Sequence, residues 1–274
     1  MSLSNLVIAL LAGIVQGVVE WLPVSSQGNL SLFLTIVGMS PDVALQLALF
    51  LQLGTTVSSA LYYREDIAEA FNATPTWRPR TAFDGPNAVT SFVVVACFAT
   101  GLVGIPLYLT AVDVASELSG GLFIALIGVL LILTGVLQLT SQSVDFATKS
   151  HPTFGDAIIV GALQGLAILP GVSRSGVTTS RLIFRSHDAP SAFRLSFLLS
   201  IPAGIGAGIL TVFAAGGLPG ISFVAAVIAL FASAVVGYAT IGALMRIVES
   251  VPFWAVCFGL GGLAILGGGL VSAI

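Results

Sequence analysis

Charge is what this 274-residue chain has least of: Asp, Glu, Lys and Arg together make up 8%, against 57% hydrophobic residues. A soluble globular domain carries about a quarter charged residues, so a water-exposed fold is excluded. With a mean hydropathy of +1.08, an all-α polytopic membrane protein is expected. Helices of about 20 residues leave room for roughly six to eight membrane segments. The two cysteines, Cys97 and Cys257, stand in separate apolar runs without paired spacing or a neighbouring histidine. That excludes a disulfide framework or a Cys-based metal motif and makes both packing residues. The two histidines, His151 and His187, fall in polar stretches and are expected to be solvated. No basic n-region precedes Leu6, so no cleavable signal peptide is expected. No nucleic-acid partner is expected either.

Charge at membrane depth is costly and is usually there for function, which draws the eye to residues 164–178, Gln-Gly-Leu-Ala-Ile-Leu-Pro-Gly-Val-Ser-Arg-Ser-Gly-Val-Thr. They break a long apolar run with Arg174, serines, a proline and glycines. The helical stretch before them is too short to cross. A matching break occurs near the start, where 5–20 reads as helix and Leu22-Pro-Val-Ser-Ser-Gln-Gly28 interrupts it. A short apolar piece, 29–38, follows the first break. The second loop runs through Gly176 to a short helical piece ending at Phe184.

Three whole spans are expected after each break: 41–63, 87–110 and 119–142, then 191–213, 220–245 and 252–274. Residues 64–86 read as an amphipathic helix end and an aqueous loop, and Asp113 and Glu117 as a short acidic turn. Gly13, Gln16, Gly17 and Glu20 form one helical stripe. Gly161, Gln164, Gly165 and Ile168 repeat it, with Leu-Pro following in both copies. An internal duplication is therefore expected: a first repeat over 1–142, a linker over 143–154, and a second repeat over 155–274. Gly-x-x-x-Gly is also a common helix-packing motif.

If both broken segments dip into the membrane and return, each half crosses three times and the second repeat is inverted. Arg64, Arg78, Arg80, Lys149, Arg181, Arg185, Arg194 and Arg246 then share one face, eight of the nine basic residues. Full crossings would split them evenly. The positive-inside tendency prefers the re-entrant arrangement, with both termini outside and those loops in the cytoplasm. Irregular backbone at this depth needs protein or water cover, and inverted repeats place their site where the breaks meet. The expected site is therefore Pro23 to Gly28 against Pro170 to Gly176.

Glu20 and Arg174 are the acid and base placed within apolar segments. Ser25, Ser26, Gln27, Asn29, Ser173, Ser175 and Thr178 surround them, with Gln16 one turn before Glu20. Arginine, hydroxyls, loop N–H groups and a helix N-terminus suit a phosphate or diphosphate. Glu20 could hold a divalent cation or manage a proton. A serine could be a nucleophile or a ligand, and Ser25 and Ser26 could each simply cap a helix. Three readings stay open: a phosphatase, a transporter of a lipid phosphate, and a structural Glu20–Arg174 pin. Gln46 and Gln52 could line the cavity or bond between helices.

Gln16-Gly-Val-Val-Glu20-Trp-Leu-Pro-Val-Ser-Ser26 and Pro170-Gly-Val-Ser-Arg-Ser-Gly-Val-Thr178 resemble the two signature motifs of the undecaprenyl-diphosphate phosphatases of the bacitracin-resistance type. The resemblance extends over nearly the whole chain. It implies hydrolysis of a C55-type polyprenyl diphosphate to the monophosphate, which recycles the lipid carrier for envelope glycan assembly. It also implies a plasma-membrane site open to the outer face and a divalent cation, Mg2+ or Ca2+. By the resemblance Glu20 is the key carboxylate and cation ligand, Ser26 the candidate nucleophile, and Arg174 the diphosphate clamp. Gln16, Ser25, Gln27, Asn29, Gly171, Ser173, Ser175 and Thr178 would contact substrate. The partners are the lipid diphosphate and the membrane, with a homodimer left open. Two departures matter: many relatives have Glu at position 16 and His at position 29. Asn29 can supply neither a nucleophile nor a general base.

Overall fold

The computed structural model describes residues 3–85, 87–141, 149, 151–248 and 250–273. Every regular element among them is helical. The expected linker over 143–154 lies largely outside the described residues. Six helices are long and apolar enough to cross a membrane: α3 (Pro41–Tyr62), α5 (Asn87–Glu117), α6 (Gly120–Ser141), α9 (Ala189–Ala214), α10 (Phe223–Val248) and α11 (Phe253–Ala273). Large apolar side chains such as Leu263, Leu266, Leu270, Phe213 and Phe231 stand exposed on them. Water would penalise those faces and a bilayer would not. The chain is a multi-pass membrane protein. Among the six, α3 is the most enclosed, with 72% of its apolar stretch buried, and α2, α9 and α10 pack on it.

Four shorter helices form the two broken segments: α1 (Leu3–Val19) with α2 (Ser26–Ile36), and α7 (Phe154–Leu166) with α8 (Arg174–Phe184). At 1.5 Å per residue α7 is about 20 Å long, short of a hydrocarbon core of about 30 Å. α1 packs on α10, and α7 packs on α5. The glycine stripe explains both contacts. A Cβ on Gly13 would stand 2.3 Å from the Ala229 carbonyl oxygen, and one on Gly161 would stand 2.3 Å from that of Ala96. Both pairs need glycine so that backbones can touch.

Two boundaries differ from expectation. α5 runs on through Asp113 to Glu117, so the acidic turn is helix. No Pro or Gly falls between Leu107 and Leu118, so the helix carries on through both carboxylates. The short helices α2 and α8 begin at Ser26 and Arg174 rather than after Gly28 and Gly176, because Ser25 and Ser173 cap them. Residues 64–85 hold α4 (Arg64–Ala73) and two 3-10 turns, as the polar composition suggests. Trp77 from this stretch is tied to α5 by its indole N–H, which donates to Ser91 Oγ at 3.0 Å.

The far end of the second segment holds an acid that sequence reasoning passed over. Asp156 is fully buried. It closes a capping box with Thr153 at the start of α7. Its Oδ1 accepts from Arg185 Nε at 2.7 Å, and Lys149 Nζ and His187 Nε2 each lie 3.9 Å from Oδ2. Burial works against its ionised form, but the Thr153 and Arg185 hydrogen bonds and the Lys149 charge outweigh it and hold the carboxyl below the usual range. His187, expected to be solvated, is 4% exposed. Burial lowers its pKa, with Asp156 pulling the other way. His151 is exposed as expected.

Candidate functional site

The two breaks meet. Ser25 caps α2, its Oγ accepting the Gly28 N–H at 3.2 Å. Ser173 caps α8, accepting the Gly176 N–H at 3.1 Å. The two capped helices have 11 residues each and are offset by 148 positions at both ends. The Leu-Pro pairs are offset by only 147. The second loop therefore carries one residue more between its proline and its cap. The additional room is taken by the Gly171 turn. Gly171, at φ +105°, points its N–H at Ser25 Oγ, 3.1 Å away. A Cβ on Gly28 would stand 2.6 Å from Gly171 N, so glycine is needed for the loops to touch. Ser25 itself has φ 60°, a left-handed conformation uncommon for a residue with a side chain. That conformation lets one hydroxyl oxygen accept from both segments.

Further bonds hold the loops together. Gln27 Nε2 donates to the Ile168 carbonyl at 2.7 Å. From α6, Gln138 Nε2 donates to the Pro23 carbonyl at 2.5 Å. Thr134 Oγ1 donates to the Gly171 carbonyl and accepts from Ser173 N, at 3.1 and 3.2 Å. Cys257 packs behind Pro23, as a packing residue should.

Because the caps match, Ser26 and Arg174 are equivalent first residues of their helices. Both turn to Glu20. Ser26 Oγ donates to Glu20 Oε2 at 2.5 Å, and the Arg174 guanidinium forms a salt bridge with Oε1. Gln16 Nε2 donates to Oε2 at 2.7 Å. The Arg174 side chain is 16% exposed and that of Glu20 5%. Both helix N-termini face this point, and aligned peptide dipoles favour negative charge there.

A cavity of about 60 Å3 opens beside them, lined by Glu20, Ser25, Ser26, Gln27, Ser173, Arg174 and Ser175 from the two segments. The other expected contacts do not line it. The Asn29 amide donates to the Val24 and Ser25 carbonyls at 2.7 and 2.9 Å and so secures the first loop. The Thr178 hydroxyl pairs with the Arg174 carbonyl at 2.8 Å and Ser196 Oγ at 2.6 Å. Gln16 lies behind Glu20, and Gly171 lies between the loops.

Gln52, weighed from sequence, does line the cavity. Thr100 and Gln164 line it too and were missed as site residues, although Gln164 was legible as a partner of Gln16 in the repeat. The amide oxygens of Gln16, Gln27 and Gln164 are all buried without hydrogen-bond partners. Among the described residues no three His, Cys, Asp or Glu gather as a metal cluster. The carboxylate present, Glu20, suits a hard cation that completes its shell with water and phosphate.

Fold and site thus define a class: a helical multi-pass membrane protein whose polar centre is built from two broken, capped segments. Residues 9–263 match the family described as bacitracin resistance protein BacA, and the chain belongs to that family. It is 47% identical to an undecaprenyl-diphosphatase of Haloarcula marismortui, over 98% of this chain and all of that protein. It is 38% identical to one of Methanococcoides burtonii, over 94% of this chain and 96% of that protein. Another, of Methanopyrus kandleri, is 34% identical over 94% of each chain.

Proposed function

We propose that this protein is an undecaprenyl-diphosphatase that hydrolyses a polyprenyl diphosphate to the monophosphate and inorganic phosphate. The observation that carries this reading is the convergence of Ser26 and Arg174, each at a helix N-terminus, on one buried carboxylate beside a hydroxyl-lined cavity. The planar guanidinium of Arg174 would hold the phosphates in a forked contact, aided by the helix N-termini and by the Ser25, Ser173 and Ser175 hydroxyls. Ser26 is the nucleophile in this reading. Its oxygen bonds to the terminal phosphorus while its proton passes to Glu20, to which it already donates. The bond from that phosphorus to the bridging oxygen breaks, and the lipid monophosphate leaves. Water then cleaves the phosphoserine, releasing phosphate and restoring the serine proton. A bound Mg2+ or Ca2+ would supply neutralisation of charge building on the phosphates, with the Glu20 carboxylate as its ligand from the protein.

The arrangement in the membrane belongs to the same proposal. The two segments are re-entrant, and the repeats over 1–142 and 155–274 are inverted. Three things support this: the eight basic residues that such an arrangement would gather on one face, the equal spacing of the capped helices, and the matching of the α1–α10 contact by the α7–α5 contact. The termini would lie outside, and the site would open to the outer face.

Purified protein should release phosphate from undecaprenyl diphosphate and stop when chelator is added. Acid quench during turnover should trap phosphate on Ser26. Binding and flipping of a polyprenyl phosphate without phosphate release would establish the transporter reading instead. A cysteine at Thr81 should resist labelling from outside intact cells, and its labelling would reverse the topology.

A further inference from the structure

The broken segments do not enclose the cavity alone. The spans beside them add Leu49 and Gln52 of α3, Thr100 of α5, and Ala203 and Ala207 of α9. This side is apolar except at Thr100 and Gln52. The Thr100 hydroxyl is engaged within the fold, 2.7 and 3.0 Å from the Ala96 and Gly161 carbonyl oxygens. The polar side chains that the two segments place in the cavity are likewise bonded to one another or to backbone. Gln52 is the exception. It is 9% exposed, yet its amide makes no hydrogen bond among the described residues. Nor is its amide oxygen sealed off, as those of Gln16, Gln27 and Gln164 are.

Two observations place Gln52 beside the reacting groups. The first is a run of hydrogen bonds. The Thr55 hydroxyl donates to the Gln52 carbonyl at 3.1 Å and accepts from Gln16 Nε2 at 3.4 Å, and Gln16 is bonded to Glu20. The second is register. α3 begins at Pro41 and α9 at Ala189, 148 positions apart, as Ser26 and Arg174 are. Gln52 is therefore the counterpart of Ser200, whose carbonyl accepts from Arg174 Nη1 at 3.4 Å. α2 packs on α3 as α8 packs on α9, which sets Gln52 toward Ser26 as Ser200 is set toward Arg174.

An amide so nearly buried needs a partner for its N–H, and a diphosphate brings acceptors. We propose that Gln52 is a substrate-binding residue whose Nε2 donates to a non-bridging oxygen of the terminal phosphate, the one Ser26 attacks. The inference rests on the diphosphate reading of the site. It gives the scaffold helix α3 a direct part in holding substrate, beside the parts taken by the two broken segments. A neutral donor suits the position, since an acid there would repel the phosphates.

The test separates binding from folding. Wild type, Gln52→Met and Gln52→Glu are titrated in detergent and Mg2+ with farnesyl methylenediphosphonate, whose carbon bridge resists cleavage, and Kd is read by calorimetry. Thermal unfolding is measured on the same samples without ligand. Gln52→Met keeps the side-chain length and loses the donor. Its Kd should rise roughly 10- to 100-fold, the scale of a hydrogen bond to a charged group. Its Tm should stay level or rise, because no bond within the protein is lost. Gln52→Glu at mildly alkaline pH should bind more weakly still, as it sets a carboxylate against the phosphate. The proposal is overturned if Gln52→Met binds within about threefold of wild type, less than such a bond contributes. It is also overturned if Tm falls together with affinity, which would make Gln52 a packing residue. Failure of the wild type to bind the diphosphonate would instead remove the diphosphate reading, and this role with it.

Discussion

The two broken segments are alike where they meet and unlike where they part. At the centre each offers a capping serine, a glycine three residues on, and a first helical residue aimed at Glu20. At the far ends the chemistry diverges. The second segment is fastened by Asp156 to Arg185, with Lys149 and His187 nearby. The positions 148 residues earlier, Ile8 and Met39 among them, are apolar, and they border a cavity of about 140 Å3 with Ala9, Leu34 and Leu47. The geometry that builds the site is matched between the two segments, while their rims differ. The second segment is a pinned platform for Arg174. The first is held by packing and by its contact with the second.

The equivalence of Ser26 and Arg174 is the part most open to attack. Arg174→Lys keeps the charge and loses the fork. If the residue clamps phosphates as charge develops, turnover should fall by about 2–4 kcal/mol, roughly 30- to 1000-fold. Near-normal turnover in the lysine variant would leave Arg174 as a pin for Glu20 and nothing more.

The two caps should break apart in size. Ser173→Ala removes one cap hydrogen bond and should cost about 1 kcal/mol. Ser25→Ala deprives the buried N–H groups of both Gly28 and Gly171 of their acceptor and should cost nearer 2–3 kcal/mol. Urea or thermal unfolding of both variants in the same detergent measures the difference. Equal losses would mean that the Ser25–Gly171 contact does not hold the segments together.

The rims should differ in their response to acid. His187 is held neutral by burial, so its folded pKa lies below its ordinary value near 6.5. The unfolded chain takes up that proton first, so stability drains away as pH falls below about 6.5. Asp156, with its pKa depressed, adds a second loss as pH drops below about 4 toward its folded value. His187→Gln should flatten the slope between pH 7 and 5, by at most about 1.4 kcal/mol per unit for one proton. Met39, its counterpart, titrates nothing. An unchanged slope in His187→Gln would remove the histidine from the account.

Much was legible before any coordinates. Low charge marked the membrane class. The recurring Gly-x-x-Gln-Gly stripe marked two helices that pack backbone to backbone on their neighbours, and Pro, Gly and Ser at two places marked the breaks. These are local signals: a helix cannot pass a Pro-Gly turn, and a lone Arg or Glu in an apolar run has few reasons to be there. The pairing of Glu20 with Arg174 could be anticipated because the chain has so few other charges to offer at that depth.

What only the tertiary structure decided is which groups are spent on holding the site and which remain to act. Asn29 and Thr178 look like site residues in a string of polar letters, yet their hydrogen bonds go to backbone and to Ser196. Gln164 looks like a helix-packing residue, yet it lines the cavity beside Thr100, to which its amide donates. Asp156 looks like an ordinary helix cap, yet it is buried among three basic side chains. A sequence specifies which donors and acceptors exist and how they recur along a helix. Whether a given oxygen is already satisfied depends on groups many residues distant, brought within 3 Å by packing.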